Sequence, residues 1–451
     1  MILKMGKGDV SSMTNAKLSP GKMLLLGFQH VFAMFGATVL VPTLTGLSVS
    51  ATLLFAGLGT LLFHLLTKRK VPAFLGSSFA FLGGYAAVKE LVKNSGTGAN
   101  WIPYAGIGVA CAGLLYVIVS VLFKAFGPNK VMRFFPPVVT GPIIICIGIT
   151  LANSAVNNCA SNWWIAILAV AIVVVFNIWG KGMFKIIPIL LGVVGSYLVA
   201  ALCGQVDFTK VHEAAWIGLP FDWKDTTFSL MGNADGSLVA SAIAMMMPIA
   251  LATMMEHIGD MCAISSTVEQ NFIADPGLHR SLLGDGLATT LAALFGAPAN
   301  TTYGENTGVL ALTKVYDPRV VRLAACIAVV FSFCPKFAAL VSCMPSATIG
   351  GVSLILYGMI SAVGVRNVVE NQVDFTKSRN VIIAALIMSL SLGINFSKAG
   401  AIKFALGSID ISLSGLAVAS LVGILLNAIL PGNDYVFGAN SQGDTSVNFK
   451  V

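Results

Sequence analysis

The chain has 451 residues, of which 56% are hydrophobic and only 10% charged, and its mean hydropathy is +0.86. Soluble domains carry roughly 25% charged residues, so this composition excludes a soluble globular protein and points to an all-α, polytopic membrane protein embedded in a lipid bilayer. The net charge of +8 would suit a polyanion, but the positive-inside bias of its basic residues accounts for it without nucleic acid.

Residues 1–22 contain Lys4, Lys7, Lys17 and Lys22 and no apolar core of signal-peptide length. A cytosolic tail, not a cleaved signal, is therefore expected. Apolar runs of spanning length then number about 14. They fall at 23–45, 50–67, 72–93, 104–126, 136–156, 163–180, 183–205, 236–262, 280–298, 300–315, 320–340, 345–365, 380–396 and 412–431. With the amino terminus inside, Lys89, Lys93, Lys210, Lys224, Lys336, Lys398 and Lys403 are the basic residues left outside, and Lys68-Arg69-Lys70 marks the strongest inner cluster.

Segment 1 carries Gln29 and His30 within an apolar helix. Such a histidine is by default hydrogen-bonded inside the bundle, with direct substrate contact as the alternative. Segment 2 contains Gly57-Leu58-Gly59-Thr60, small residues that let helices approach closely. Segment 3 places Pro72, Gly76, Ser77, Ser78, Gly83 and Gly84 in one pass, which predicts a broken element rather than a continuous helix. Eight cysteines are scattered without a C-x-x-C pair, so neither a disulfide framework nor a metal site is expected.

The second half echoes this order at separations of roughly 208 to 229 residues. Glu256-His257 stands where segment 1 has Gln29-His30, and Gly286-Leu287-Ala288-Thr289 stands against Gly57-Leu58-Gly59-Thr60. Pro298-Ala299 leading to Thr301-Thr302-Tyr303 answers Pro72-Ala73 leading to Ser77-Ser78-Phe79, and Pro345-Ser346-Ala347-Thr348 answers Pro137-Val138-Val139-Thr140. Matches in one order predict a duplication of seven segments. Because seven is odd, the copies would be inverted, the symmetry secondary transporters place around a midplane site. Segments 3 and 10 are the matching interrupted pair.

Among the 19 acidic residues, Glu256, Asp260, Asp285 and Glu305 fall within spans, where ionisable groups are costly and mark function. Glu256 and Asp260 are one helical turn apart and share a face; Asp285, near Arg280, is expected to be structural. In segment 10, Asn300 to Tyr303 has the bias of a short strand, Gly304 permits a break, and a helix follows. The amides at Gly304 and near Phe79 would be unsatisfied donors at half-helix starts. Two carboxylates and two amides suit a flat ligand bearing N–H and C=O groups, with Phe79 or Tyr303 on its face. Phe79 and Phe81 are equally readable as core. His30, His64, His212, His257 and His279 form no ligand-spaced cluster, so an enzyme or a bound cofactor is not expected.

Several stretches resemble the nucleobase–ascorbate transporter family, its bacterial uracil-permease branch above all. They are Gln29-His30 with Phe32 to Pro42, Gly76 to Phe81, Glu256-His257-Ile258-Gly259, Asp275 to Ser281 and Asn300 to Asn306. The resemblance implies two inverted seven-helix repeats in a multi-pass protein of the inner (plasma) membrane. The first core part would be 23–126, the first gate part 127–205, and an extracellular loop 206–235. The second core part would be 236–340, the second gate part 341–431, and the tail 432–451. It also implies a homodimer and proton-coupled uptake of uracil or a related nucleobase. Carried over by position, substrate would be held by Phe79, Glu256, Tyr303, Gly304 and Glu305, with Glu256, Asp260, Glu305 and His30 as candidates for proton coupling. Asp260 departs from the uracil-permease pattern toward the purine branch, while Gly304 departs from the purine branch. A xanthine or purine permease is the alternative; an anion exchanger would face two carboxylates in its site.

Overall fold

A computed structural model describes residues 19–232, 234–407, 409–433 and Tyr435. Lys4, Lys7 and Lys17 of the expected inner tail, and most of the tail expected at 432–451, lie outside the described residues. The first helix, α1 (Pro20–Thr45), starts where the Ser19 hydroxyl accepts from the Lys22 amide and proline takes the first turn, an economical start because that N–H has no helical acceptor. It ends at Gly46, whose φ of 86° suits a residue without a Cβ. Helix α2 (Val49–Leu66) follows, then an extended stretch, strand β1 (Leu75–Ser77), a single tight turn at Phe79–Phe81 and helix α3 (Leu82–Asn94). Next come α4 (Trp101–Phe126), α5 (Pro137–Cys159), α6 (Trp163–Trp179) and α7 (Pro188–Leu202).

The span expected at 236–262 is two helices, α8 (Gly236–Met246) and α9 (Ile249–Val268), parted at Met247-Pro248. Proline there lacks the N–H that would continue the ladder. Helix α10 (Leu278–Leu294), strand β2 (Asn300–Thr302) and helix α11 (Gly304–Thr313) complete the interrupted region. The expected span 320–340 is a bent pair, α12 (Pro318–Ser332) and α13 (Pro335–Ser342), turned through 88° where Pro335 starts the new helix. Helices α14 (Ser346–Glu370) and α15 (Ser378–Asn395) lead to a hairpin, β3 (Ala401–Leu406) with β4 (Ile409–Ser414), and to α16 (Gly415–Ile429). Among the described residues, seven helical spans are long and apolar enough to cross a membrane, counting α8 and α9 together as one, or eight with the bent pair.

Association inside a bilayer rests on close packing of small residues rather than on hydrophobic transfer. The Gly57 expectation holds in this sense: a Cβ there would lie 2.6 Å from the Ala325 carbonyl oxygen, so α2 and α12 approach backbone to backbone. Helices α1 to α4 pack chiefly against α8, α10 and α12, while α5 and α6 pack against α14, and α15 against α16 and α5. Trp163, Trp164, Ile167, Ile178 and Trp179 on α6 remain exposed, as a lipid-facing surface should.

The centre of the fold is a two-stranded sheet made by segments distant in sequence. Strands β1 and β2 run antiparallel with Leu75 opposite Thr302, Gly76 opposite Thr301 and Ser77 opposite Asn300. Two flanking bonds extend it, Ser78 N–H to Ala299 O at 2.8 Å and Tyr303 N–H to Phe74 O at 3.0 Å. Unpaired strand edges are prohibitive at membrane depth, and two threonines close them. The Thr60 hydroxyl accepts from the Leu75 amide at 2.9 Å and donates to its carbonyl at 3.3 Å. The Thr289 hydroxyl does the same for Asn300, at 3.2 and 3.1 Å.

Candidate functional site

The sheet hands each strand to a helical start. Phe79 opens the turn before α3, and Gly304 is the first residue of α11; amides at such positions have no intrahelical acceptor and sit at the positive end of a helix dipole. Phe79, Gly304 and Glu305 line a cavity of about 460 Å³. Glu256 and Asp260 line it from α9, and Thr301, Thr302 and Tyr303 from β2 and its end. Its opposite wall comes from α5 (Pro137, Thr140, Ile144) and α14 (Leu356, Met359, Asn367).

The site's own bonds fix these groups. The Thr302 hydroxyl donates to Asp260 Oδ2 at 2.7 Å, tying α9 to β2 and leaving the other carboxylate oxygen uncommitted by that bond. Glu256 and His257 point opposite ways because neighbours on a helix diverge by about 100°. Glu256 faces the cavity, whereas His257 is buried with Nδ1 3.0 Å from Asp285 Oδ2 and Nε2 3.0 Å from Ser281 Oγ. Asp285 is thus structural as expected, but its partner is His257 and not Arg280. Glu256, Asp260 and Glu305 share the cavity wall, in surroundings that screen like charges poorly.

Tyr303 is less free than the sequence implies. Its ring covers Gly76, where a Cβ would collide with it, and its hydroxyl donates to the Ser77 carbonyl at 3.0 Å while Thr38 Oγ1 lies 3.4 Å away. A flat ligand would therefore meet the ring's edge or its backbone rather than an uncommitted hydroxyl. Phe79 packs edge-on to Tyr357 of α14, centroids 5.5 Å apart at 76°, so this aromatic both lines the cavity and seals it. His30 is not a lining residue. The Asn306 side-chain amide bridges its Nδ1 at 3.0 Å and its carbonyl at 3.1 Å, which clamps α1 to the residue following Glu305.

Sequence reasoning brings Phe79, Glu256, Asp260, Tyr303, Gly304 and Glu305 to one place, and the structure puts them around one cavity. It missed the wall from α5 and α14. Thr140, which faces Asn367 at 3.5 Å, stands in the repeated Pro-Val-Val-Thr motif, the one signal available. Tyr357 and Asn367 lie in an otherwise ordinary span and carry no such mark.

A helical bundle with apolar helices of spanning length and a carboxylate-bearing cavity built on interrupted segments is that of a multi-pass membrane transporter. A family model described as "Permease family" matches residues 21–400. The chain belongs to that family, the nucleobase–ascorbate transporters expected from its motifs. It is 43% identical to the uracil permease of Bacillus caldolyticus over 91% of this chain and 93% of that protein. To the uracil permease of Bacillus subtilis (strain 168) it is 39% identical, over 95% and 96%. The transmembrane domain of a cyanobacterium bicarbonate transporter, BicA, shares the fold with a TM-score of 0.58 at 15% identity, covering 90% of this chain and 96% of that one. The relatives in the family are permeases, not enzymes.

Proposed function

We propose that the chain imports uracil by proton symport, alternating its cavity between the two sides of the membrane. The observation that carries this is the convergence of Glu256 and Glu305, from separate elements, on one cavity that also receives the helical starts at Phe79 and Gly304. The carboxylates accept the ring N–H groups, and the two amides donate to the ring carbonyls. A proton shared among Glu256, Asp260 and Glu305 relieves their mutual repulsion, so proton and substrate enter together. His30 acts through Asn306 on the position of Glu305. The volume of about 460 Å³ sits within the roughly 300–1,000 Å³ usual for small-molecule sites.

The moving parts in this reading are a core, 23–126 with 236–340, and a gate, 127–205 with 341–431, built from about 14 spans in two inverted repeats and assembled as a homodimer. The paired roles of Thr60 and Thr289 support the repeat. So do the packing of α5 on α14 and the cavity between their side chains and the sheet. The lining of Arg366, Glu370 and Asn371, at the end of α14 that this reading assigns to the cytosol, supports an inward-open state.

Labelled uracil uptake into vesicles, with and without an inward proton gradient, tests the proposal. Gradient-driven accumulation abolished by an uncoupler is expected, and uptake indifferent to the gradient refutes the coupling. A purine carrier is the second reading, favoured by the presence of Asp260 in the cavity. Competition by unlabelled xanthine stronger than by unlabelled uracil would establish it.

A further inference from the structure

The end of the bundle that carries Lys68, Arg69 and Lys70 holds more cations than its carboxylates engage. Lys68 and Lys70 both reach Asp275. Arg280 donates Nη1 to the Leu66 carbonyl oxygen at 3.1 Å, which satisfies one of the open carbonyls that end α2. Arg319 folds onto Asp317 through Nε at 2.8 Å and Nη2 at 2.6 Å. Two guanidinium groups are left over. Among the described residues, neither Arg69 nor Arg322 makes an ion pair or a side-chain hydrogen bond, and Arg322 Nη1 is buried without a partner.

Arg69 lies on the exposed turn that leaves α2, and Arg322 lies in the second turn of α12, the helix packed against α2. Arg69 is presented on an exposed turn where it and Lys68 both hold left-handed backbone, φ 58° and 56°, a conformation that side-chained residues adopt at a cost and that clusters at functional sites. A buried donor without an acceptor costs free energy. An anion held here gives Arg322 Nη1 its acceptor, and a phosphate matches the planar donor fork in a bidentate way. Beside the pair, Leu24 and Leu25 on α1 and Leu65 on α2 are exposed, on the two helices that α12 packs against. This combination of exposed apolar residues and unpaired basic residues at one end of spanning helices is the form that lipid headgroup sites take.

We propose that Arg69 and Arg322 form a binding site for a phosphate group, in the first place that of an anionic phospholipid. The site uses no residue of the transport cavity and is independent of the substrate reading. Native mass spectrometry of the full-length protein in detergent tests it, with phosphatidylglycerol, phosphatidylcholine and inorganic phosphate added separately. Retained phosphatidylglycerol is expected on the unmodified chain, with retention reduced about fivefold in R322Q and in R69Q and unchanged in K403Q on the distant hairpin. Binding of inorganic phosphate that R322Q abolishes, without preference between the two lipids, assigns the same site to a soluble phosphate ester. Because R69Q alters only an exposed turn, its melting temperature should match the parent, which separates loss of binding from loss of fold. R322Q and R69Q proteins that keep the parent level of phosphatidylglycerol and of phosphate overturn the site.

Discussion

The two interrupted segments share a backbone and differ in chemistry. In each, a three-residue strand is closed by a threonine hydroxyl from the preceding helix and gives way to a helical start. Past that point, one continues Phe79-Ala80-Phe81 and the other Gly304-Glu305-Asn306. The frame is therefore duplicated, while charge is supplied on one side and aromatic surface on the other. Symmetry positions the two amides; recognition depends on what the sequence has made unequal.

The inequality is tested most severely by E305Q. It removes an ionic acceptor from the proposed substrate contact, and hydrogen bonds to charged groups are worth about 1.5–3 kcal/mol. Uracil affinity measured by calorimetry should fall roughly 10- to 150-fold, and an unchanged affinity would remove Glu305 from the site. The shared frame is tested by T60V and T289V, which orphan both backbone groups of Leu75 and Asn300 respectively. Each should destabilise the protein by about 1–3 kcal/mol, read as a lower melting temperature in detergent. A large loss in one variant and none in the other would show that the frame is not equivalent on its two sides.

T302V keeps the strand and deletes the bond to Asp260. Apparent uracil affinity should weaken roughly two- to tenfold, with the melting temperature little changed. The smallest effect belongs to D275N. Asp275 ties the turn that precedes β1 to the turn that precedes α10 through Lys68 and Lys70. Its hydrogen bond with Lys70 holds its carboxyl below the ordinary aspartate range, so the stabilisation is present above that range and is lost as pH falls through the depressed value. The pair is exposed, so the loss should be about 0–1 kcal/mol at neutral pH. It should shrink progressively when parent and variant are melted at increasingly acidic pH.

Glu256, Asp260 and Glu305 were legible because an apolar background makes a carboxylate conspicuous, and the broken segments were legible because Gly, Pro and Ser cluster there. The pairing of Leu75–Ser77 with Asn300–Thr302 was not, since a three-residue strand carries too little pattern to name its partner. Residues such as Met359 and Asn367 sit on a continuous helix, and only the packing of α14 against α5 brings them to the cavity. The hairpin β3–β4 was hidden by its mixture of Lys403, Asp410 and exposed Phe404 and Leu406, which reads as loop; the Asp410 amide fastens it to the Ser241 hydroxyl at 3.0 Å. The bend between α12 and α13 was hidden because Pro335 suits a helix start as well as it suits a break.

The central sheet also imposes an order on biosynthesis. Leu75–Ser77 finds its hydrogen-bonding partner roughly 225 residues downstream, and ribosomes add about 5–20 residues per second. For roughly 10–45 s, then, the emerging first half holds a strand whose outer edge Thr60 can cap but whose inner edge has no acceptor. The nascent chain must keep that edge wet or shielded until Asn300–Thr302 arrives, so arresting translation between the two should leave a fragment that is inserted yet vulnerable to protease at segment 3.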